Sequence, residues 1–242
     1  RRLISRLYDR YEKSATRRMD GVVSVLDGIT AKFTNPHRVS IHNYPKLADF
    51  AGYGNHLPTH TLQGFTVVYA GGLSHIRNIH RLVEAFAHLD DGYRLLLMGP
   101  WESPAYEARC HTLPGWHKVR YLGNLPMQEC FAHIRRADMG VVLFAKIANH
   151  MQSLPNKSFE YIAAEIPLLM SDIPFWQKEF ARYAHFTDPE NPAAVAEKIR
   201  HIRNGGQAEK EKAIRESKRI LAEKTWEAEE KKLVFFYRGI LR

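Results

Sequence analysis

Cysteine is scarce in this chain: Cys110 and Cys130 are the only two in 242 residues. They show neither metal-knuckle spacing nor a disulfide framework. Both read as small buried apolar groups, in keeping with a reducing, cytoplasmic environment. Long apolar runs are also missing. The longest, such as Met139–Phe144 and Ile166–Met170, fall far short of the ~20 residues of a membrane-spanning helix, and no stretch is laid out like a signal peptide. The glycine signatures G-x-G-x-x-G and G-x-x-x-x-G-K-[ST] are absent, which removes the dinucleotide and P-loop readings. There is no Asp-x-Asp cluster. The histidines, His75, His80 and His150 among them, show no metal-ligand spacing. Trp101, Trp116, Trp176 and Trp226 read as core residues. Acidic residues are outnumbered, 26 against 35 Lys and Arg, for a net charge of +9. That excess favours anionic partners. Nucleic acid is not among them, because no stripe of aromatics interleaves with the basic residues.

What is present is alternation. From Gly64 onward, short apolar runs (Phe65–Ala70, Arg94–Gly99, Val119–Gly123, Met139–Phe144, Ile166–Ser171 and the weaker His185–Asp188) alternate with helical patterns. The helices are expected over Asn78–Leu89, Pro126–Arg136, Pro155–Ala164 and Ala193–Ile202. Near-continuous runs fit strands covered on both faces, so the pattern predicts βαβ units and an α/β, Rossmann-like, doubly wound parallel sheet. Asn204-Gly205-Gly206 is expected to stop the last of these helices. Two further helices follow, breaking near Thr225–Trp226.

The start of the chain differs. Arg1 to Arg18 carries seven Lys and Arg against Asp9 and Glu12, with Leu3, Leu7 and Tyr11 at helical spacing. This is a basic amphipathic helix with two readings: a helix packed on its own domain, or one facing an anionic membrane surface. Gly21–Leu26 and Arg38–His42 read as strands, and residues 43–60 as a linker. The first residue is not Met, so the chain reads as a fragment or a processed product.

In an open parallel sheet, ligands bind beyond the carboxyl ends of the strands. Four loops there stand out. Gly71-Gly72 follows the first strand, with Arg77 just before a helix. "MGPWESP" follows the second. Gly123 and Asn124 follow the third. The longest loop leads into Pro155-Asn156-Lys157-Ser158, with Glu160 one turn into the helix. Glycines admit a ligand close to the backbone, and helix N-termini offer free N–H groups to phosphate. Arg77 and Lys157 add cations, so a diphosphate fits without a metal. Gly71-Gly72 also has a plain reading as a tight βα turn, and Glu160 one as an exposed acid complementing the helix dipole.

"VVYAGGLSHIRNIHRLVEAF", "LLLMGP", "VRYLGNLPMQECFAHIRRADMGVVLF" and "SLPNKSFEYIAAEIPLLMSDIPFW" occur in this order. Together they resemble the donor-binding domain of retaining, nucleotide-sugar-dependent glycosyltransferases of family 4, with the GT-B fold, in the bacterial branch that builds surface polysaccharides such as O-antigen and capsule. The resemblance covers roughly residues 10–241. It implies three parts: residues 1–62 as the remnant of an N-terminal acceptor domain plus linker, 63–225 as the nucleotide-sugar-binding domain, and 226–242 as a helix returning to the N-terminal domain. Residue by residue, it implies that Gly71 and Gly72 approach the diphosphate and that Arg77 stands where the family has a phosphate-binding lysine. Tyr121, Gly123 and Asn124 would meet the base. Pro155, Asn156, Lys157 and Ser158 would cradle phosphate, and Glu160 would hold the ribose. Arg77 and Lys157 become the catalytic cations. No cofactor or metal is implied.

The expected partners are a nucleotide-sugar donor, a saccharide or lipid-linked acceptor and an anionic membrane surface, with the protein peripheral at the inner face of the membrane. The expected enzyme is hexosyltransferase-like, and weak alone if its acceptor domain is incomplete. Three positions depart from the pattern. Gly72 stands where the family often has arginine, Gln152 where the first acid of the E-x7-E pattern is expected, and Glu165 where a glycine turn is usual. A non-catalytic nucleotide-sugar-binding or scaffold module is the alternative. A nucleotide-sugar isomerase of the same fold is a further one.

Overall fold

The computed structural model describes residues 2–52 and 63–241. The chain divides into two compact units, Arg1–Leu47 with Glu223–Arg242, and Ala48–Ala222.

The first unit opens on α1 (Arg2–Arg17), followed by β1 (Val22–Ser24), α2 (Asp27–Thr30) and β2 (Arg38–Ser40). β1 and β2 pair in parallel, Val23 opposite Val39. The run Gly21–Leu26 yields a three-residue strand, and a short helical turn that the sequence does not announce follows it at Asp27–Thr30. A buried hydrogen bond of 2.7 Å between the Thr30 and Ser40 hydroxyls ties that turn to β2. α10 (Trp226–Ile240) closes the unit. Thr225 caps it by accepting the Ala228 N–H at 3.3 Å, at the expected break. The Glu229 carboxylate accepts the His42 N–H at 2.8 Å. α1 is the expected helix, but Ile4, Leu7, Tyr8 and Tyr11 are all exposed.

In the second unit, α3 (Leu47–Gly52) falls inside the segment read as a linker, the rest of which lies largely outside the described residues. Then come β3 (Phe65–Ala70), α4 (Ile79–Phe86), β4 (Tyr93–Met98), α5 (Pro104–His111), β5 (Val119–Tyr121) and α6 (Met127–Arg136). They are followed by β6 (Met139–Val142), α7 (Asn156–Ala163), β7 (Leu168–Ser171), α8 (Pro174–Glu179), β8 (Ala184–Thr187) and α9 (Pro192–Leu221). The six strands run in parallel in the order β5-β4-β3-β6-β7-β8. The strand order reverses between β3 and β6, the place where open α/β sheets bind ligands.

The apolar runs form the sheet because both faces are covered: Val67, Val68, Leu95, Leu97, Val141, Leu168 and Leu169 are wholly buried. α4 buries Ile79, Leu82, Val83 and Phe86 along one face. Two helices were not expected from periodicity. α5 is weakly patterned but starts on Ser103, which accepts the Tyr106 N–H, followed by Pro104. α8 is six residues long and also begins on proline. Both carry the N-terminal proline signature. The expected stop at Asn204-Gly205-Gly206 is instead a kink. Gly206 adopts φ 52°, ψ −124°, and the helix resumes to Leu221.

Candidate functional site

A cleft of about 320 Å³ opens at the carboxyl ends of β3 and β6, on the switch point of the sheet. Gly71, Gly72 and Arg77 contribute from the loop after β3. Pro155, Asn156 and Lys157 contribute from the start of α7. Tyr69, Phe144, His150, Ser153 and Leu154 complete the wall.

The floor is built from backbone held at close quarters. Gly71 has φ 146°, and its N–H donates to Met98 O at 2.8 Å. Gly99, at φ 132°, approaches so near that a Cβ there would lie 2.0 Å from Gly71 O. The Gly99 N–H donates to Gly123 O at 2.7 Å. The loops after three neighbouring strands are thereby stitched together. Tyr69 donates its hydroxyl to Gly72 O at 3.1 Å, and burial holds its phenol well above the ordinary range. The Tyr161 hydroxyl accepts the Ala70 N–H at 3.0 Å. Its ring lies against Gly140, where a Cβ would sit 2.5 Å from Tyr161 Cγ.

The cations are placed by different means. Arg77 ends a single 3₁₀ turn, His75–Arg77, and precedes Asn78 in the left-handed region at φ 54°. Asn78 is buried and donates Nδ2 to Glu190 Oε1 at 2.9 Å. Asparagine tolerates that backbone better than other non-glycine residues. The Arg77 guanidinium carbon lies 3.9 Å from the centroid of the Phe144 ring, a cation–π contact that fixes it at the cleft. Lys157 lies in the first turn of α7 and binds both Glu160 carboxylate oxygens, at 2.9 and 2.8 Å. α7 has no side-chain cap, and the N–H groups of Asn156 and Lys157 have no partner among the described residues. Two backbone donors and the positive end of the helix dipole therefore face the cleft.

The loop leading into α7 is pinned from two sides. Trp176 Nε1 donates to Ser153 O at 2.7 Å, and His150 Nδ1 donates to Ala145 O at 2.8 Å. Near the site, burial pushes the Cys130 thiol up to about 11, against the pull of Lys157. It is a protonated thiol and no nucleophile. The arrangement offers two cations, two glycines and a helix N-terminus to one anionic group, with a carboxylate a turn away for hydroxyls.

Residues 59–220, more than half of the chain, match the family model described as glycosyl transferases group 1. The chain belongs to this family. No curated protein sequence matches it. Among solved structures it is similar to HepE of Anabaena in complex with UDP-glucose, at 13% identity and TM-score 0.75, covering 96% of this chain and 67% of that one. It is also similar to a glycosyltransferase of Rickettsia africae, at 15% identity and TM-score 0.78, covering 97% and 67%. A trehalose 6-phosphate synthase of Burkholderia multivorans follows the same fold at 14% identity and TM-score 0.71, covering 93% and 61%. This group 1 glycosyl transferase has the α/β, parallel-sheet architecture of GT-B proteins. It spans about two thirds of the length of the first structures it resembles.

Of the residues singled out by sequence, this glycosyl transferase brings Gly71, Gly72, Arg77, Pro155, Asn156 and Lys157 into the cleft, with Glu160 joined through Lys157. Five others do not line it. The Ser158 side chain turns into the core against Met170 Sδ, and its N–H already donates to Pro155 O. It sits on the buried face of α7, so its hydroxyl does not meet the cleft. Gln152 and Asn124 are exposed outside the lining. Tyr121 braces the neighbouring loop by donating its hydroxyl to Gly99 O at 3.1 Å. Gly123, at φ 74°, shapes that loop through the bond from Gly99.

Sequence reasoning missed Tyr69 and Phe144, which read as plain strand residues, and took His150 for a surface or capping histidine, although it is buried in the wall. The position of His150 in the middle of the longest loop was the available signal. Spacing along the chain also missed a cluster away from the cleft, in which His185, His201 and Glu209 converge.

Proposed function

We propose that this chain is the nucleotide-sugar-binding part of a retaining glycosyltransferase, in the bacterial branch that builds surface polysaccharide. The observation that carries this reading is the convergence of Gly71, Gly72, Arg77 and Lys157 on one cleft at the switch point of a group 1 sheet. The diphosphate of the donor lies over the two glycines, between Arg77 and the N–H groups of Asn156 and Lys157. The ribose hydroxyls take the Glu160 carboxylate, so donor binding redistributes the bonds that Lys157 now makes to it. No metal is needed at this site, because the protein supplies the cations. The first unit is read as part of the acceptor domain, and the acceptor as a saccharide or a lipid-linked saccharide.

In the reaction, the bond between the anomeric carbon and the leaving phosphate oxygen lengthens first. Negative charge grows on that phosphate while the sugar becomes oxocarbenium-like. Arg77, Lys157 and the start of α7 stabilise the growing charge, which is electrostatic catalysis by groups already in place. The acceptor hydroxyl attacks from the face the phosphate leaves and passes its proton to a leaving phosphate oxygen. The anomeric configuration is kept.

Isothermal titration against UDP-, GDP- and ADP-sugars tests the reading. One class should bind, and Lys157→Ala should weaken its binding about a hundredfold. A chain that binds none of them, or a Lys157→Ala variant that binds as well as the parent, removes the assignment. Gln152 favours the non-catalytic alternative, since a neutral amide stands where an acid is expected. Gln152→Glu should raise turnover if activity has been weakened by that change, and leave a scaffold silent.

A further inference from the structure

His185 lies on the edge strand β8, while His201 and Glu209 lie on either side of the kink in α9. One ligating atom from each falls within 4.8 Å of the other two. His185 Nε2 is 2.8 Å from Glu209 Oε2, and the two imidazole centroids are 5.8 Å apart at 64°.

We propose that these three residues form a binding site for a divalent transition-metal ion of the zinc class. Two imidazoles and one carboxylate are a three-ligand set that zinc accepts, with a water in the fourth position. Imidazole selects zinc, cobalt, nickel and copper over magnesium and calcium.

The local backbone is arranged around this convergence. On an unbroken helix, residues eight apart are separated by about 12 Å and point about 80° apart. The left-handed Gly206 breaks that path and turns Glu209 back toward β8. Gly205 must be bare for this to happen, because a Cβ there would lie 2.6 Å from Glu209 Cγ. The Gly205-Gly206 pair thus fits the glutamate to the histidines. Tetrahedral coordination needs ligand atoms roughly 3.4 Å apart, given bond lengths of about 2.0–2.2 Å. The exposed His201 closes the difference by rotating about its side-chain torsions. Lys212 Nζ, 3.9 Å from Glu209 Oε2, moves away when the cation arrives.

The site serves the fold and not the transfer chemistry. None of its ligands lines the cleft. Glu209 borders a separate hollow with Phe65, Asp138 and Pro167, which lie at the amino ends of β3, β6 and β7. A bound ion would clamp the edge strand to both halves of the kinked helix.

The test is a Co²⁺ titration of the chelator-treated chain, carrying no affinity tag, with Zn²⁺ thermal-shift measurements alongside. One equivalent of Co²⁺ should give a visible d–d band of tetrahedral intensity, and Zn²⁺ should displace it. Zn²⁺ at about one hundred times its Kd should raise Tm by roughly 5–10 °C, and Mg²⁺ should not. His201→Asn changes an exposed side chain and should abolish both signals, as should Glu209→Gln. Gly205→Ala should weaken Co²⁺ binding at least tenfold, while His88→Asn, elsewhere on the surface, leaves it unchanged. A missing band together with a missing Zn²⁺ shift overturns the proposal. So does a band that survives in His201→Asn.

Discussion

Lys157 and Glu160 hold each other across one turn of α7, the ammonium lying 2.9 and 2.8 Å from the two carboxylate oxygens. The glutamate is nearly buried, so neither charge is fully solvated. In the proposed site these two residues serve different parts of one ligand. Lys157→Ala should therefore weaken nucleoside diphosphate and inorganic diphosphate alike, by about a hundredfold, as charge-assisted bonds to phosphate are lost. Glu160→Gln should weaken the nucleoside diphosphate about tenfold and leave inorganic diphosphate bound at least as well, because Lys157 is released. Calorimetry on both variants with both ligands decides. Equal losses for the two ligands in Glu160→Gln would refute the division of roles.

Gly72 is the second place where a side chain can be tested. Its neighbour Gly71 is confined by φ 146° and by Tyr69, whereas a Cβ on Gly72 meets nothing within 4 Å. Gly72→Arg adds a cation to the cleft lining. It should tighten diphosphate binding severalfold, with stability within about 0.5 kcal/mol of the parent, as for other unobstructed surface changes. Gly99→Ala is the contrasting case, since its Cβ would strike Gly71 O. It should lower stability by about 2 kcal/mol or more and abolish binding.

His80 gives the second unit a dependence on acid. Burial chiefly, with His75 stacked 4.6 Å away, lowers its pKa from 6.5 to about 4. The ring is held neutral, Nδ1 against the Tyr106 hydroxyl at 2.9 Å. Above pH 6.5 both folded and unfolded chains leave it neutral, and no stability depends on it. Below 6.5 the unfolded chain takes up a proton that the folded one refuses, so stability falls until about pH 4. Denaturant titrations between those limits should show this slope, and His80→Gln should flatten it. An unchanged slope in the variant would place the acid sensitivity elsewhere.

The fold was legible because its strands are buried on both faces, which leaves continuous apolar runs such as Phe65–Ala70 that polar turns separate cleanly. Helices with a full apolar stripe, α4 and α6, were legible for the same reason. α5 and α8 were not, because short helices carry too few turns for periodicity and announce themselves only by proline at the first turn. At the cleft, residue types with strong backbone meaning are the ones the fold brings to the lining: Gly71, Pro155 and Lys157. Ser158 does not reach the lining, because adjacent helix positions face about 100° apart, and the residue after Lys157 points inward. The convergence of His185, His201 and Glu209 depends on a strand pairing and a helix kink, and no local spacing encodes either.

Glu165 is a case where sequence and backbone disagree, and its geometry allows a stability prediction. The turn after α7 forms as a glycine turn would: Glu165 sits at φ 59°. Its N–H donates to Ile162 O at 3.0 Å, and the Ile166 N–H to Tyr161 O at 3.3 Å, the paired bonds of a Schellman ending. The Tyr183 hydroxyl donates to Ile166 O at 2.8 Å and secures the exit. A non-glycine residue in this region carries about 1–2 kcal/mol of strain, which the surrounding bonds overcome. The Glu165 side chain is exposed, so removing it forfeits little packing. Glycine would relieve the strain, offset in part by about 0.5–1 kcal/mol of added chain entropy when unfolded. Glu165→Gly should therefore stabilise the chain by about 0.5–1 kcal/mol and raise Tm by roughly 1–4 °C. Glu165→Ala keeps the strained backbone and should gain nothing. If alanine stabilised as much as glycine, the gain would come from losing the charge, and the left-handed conformation would not be its source.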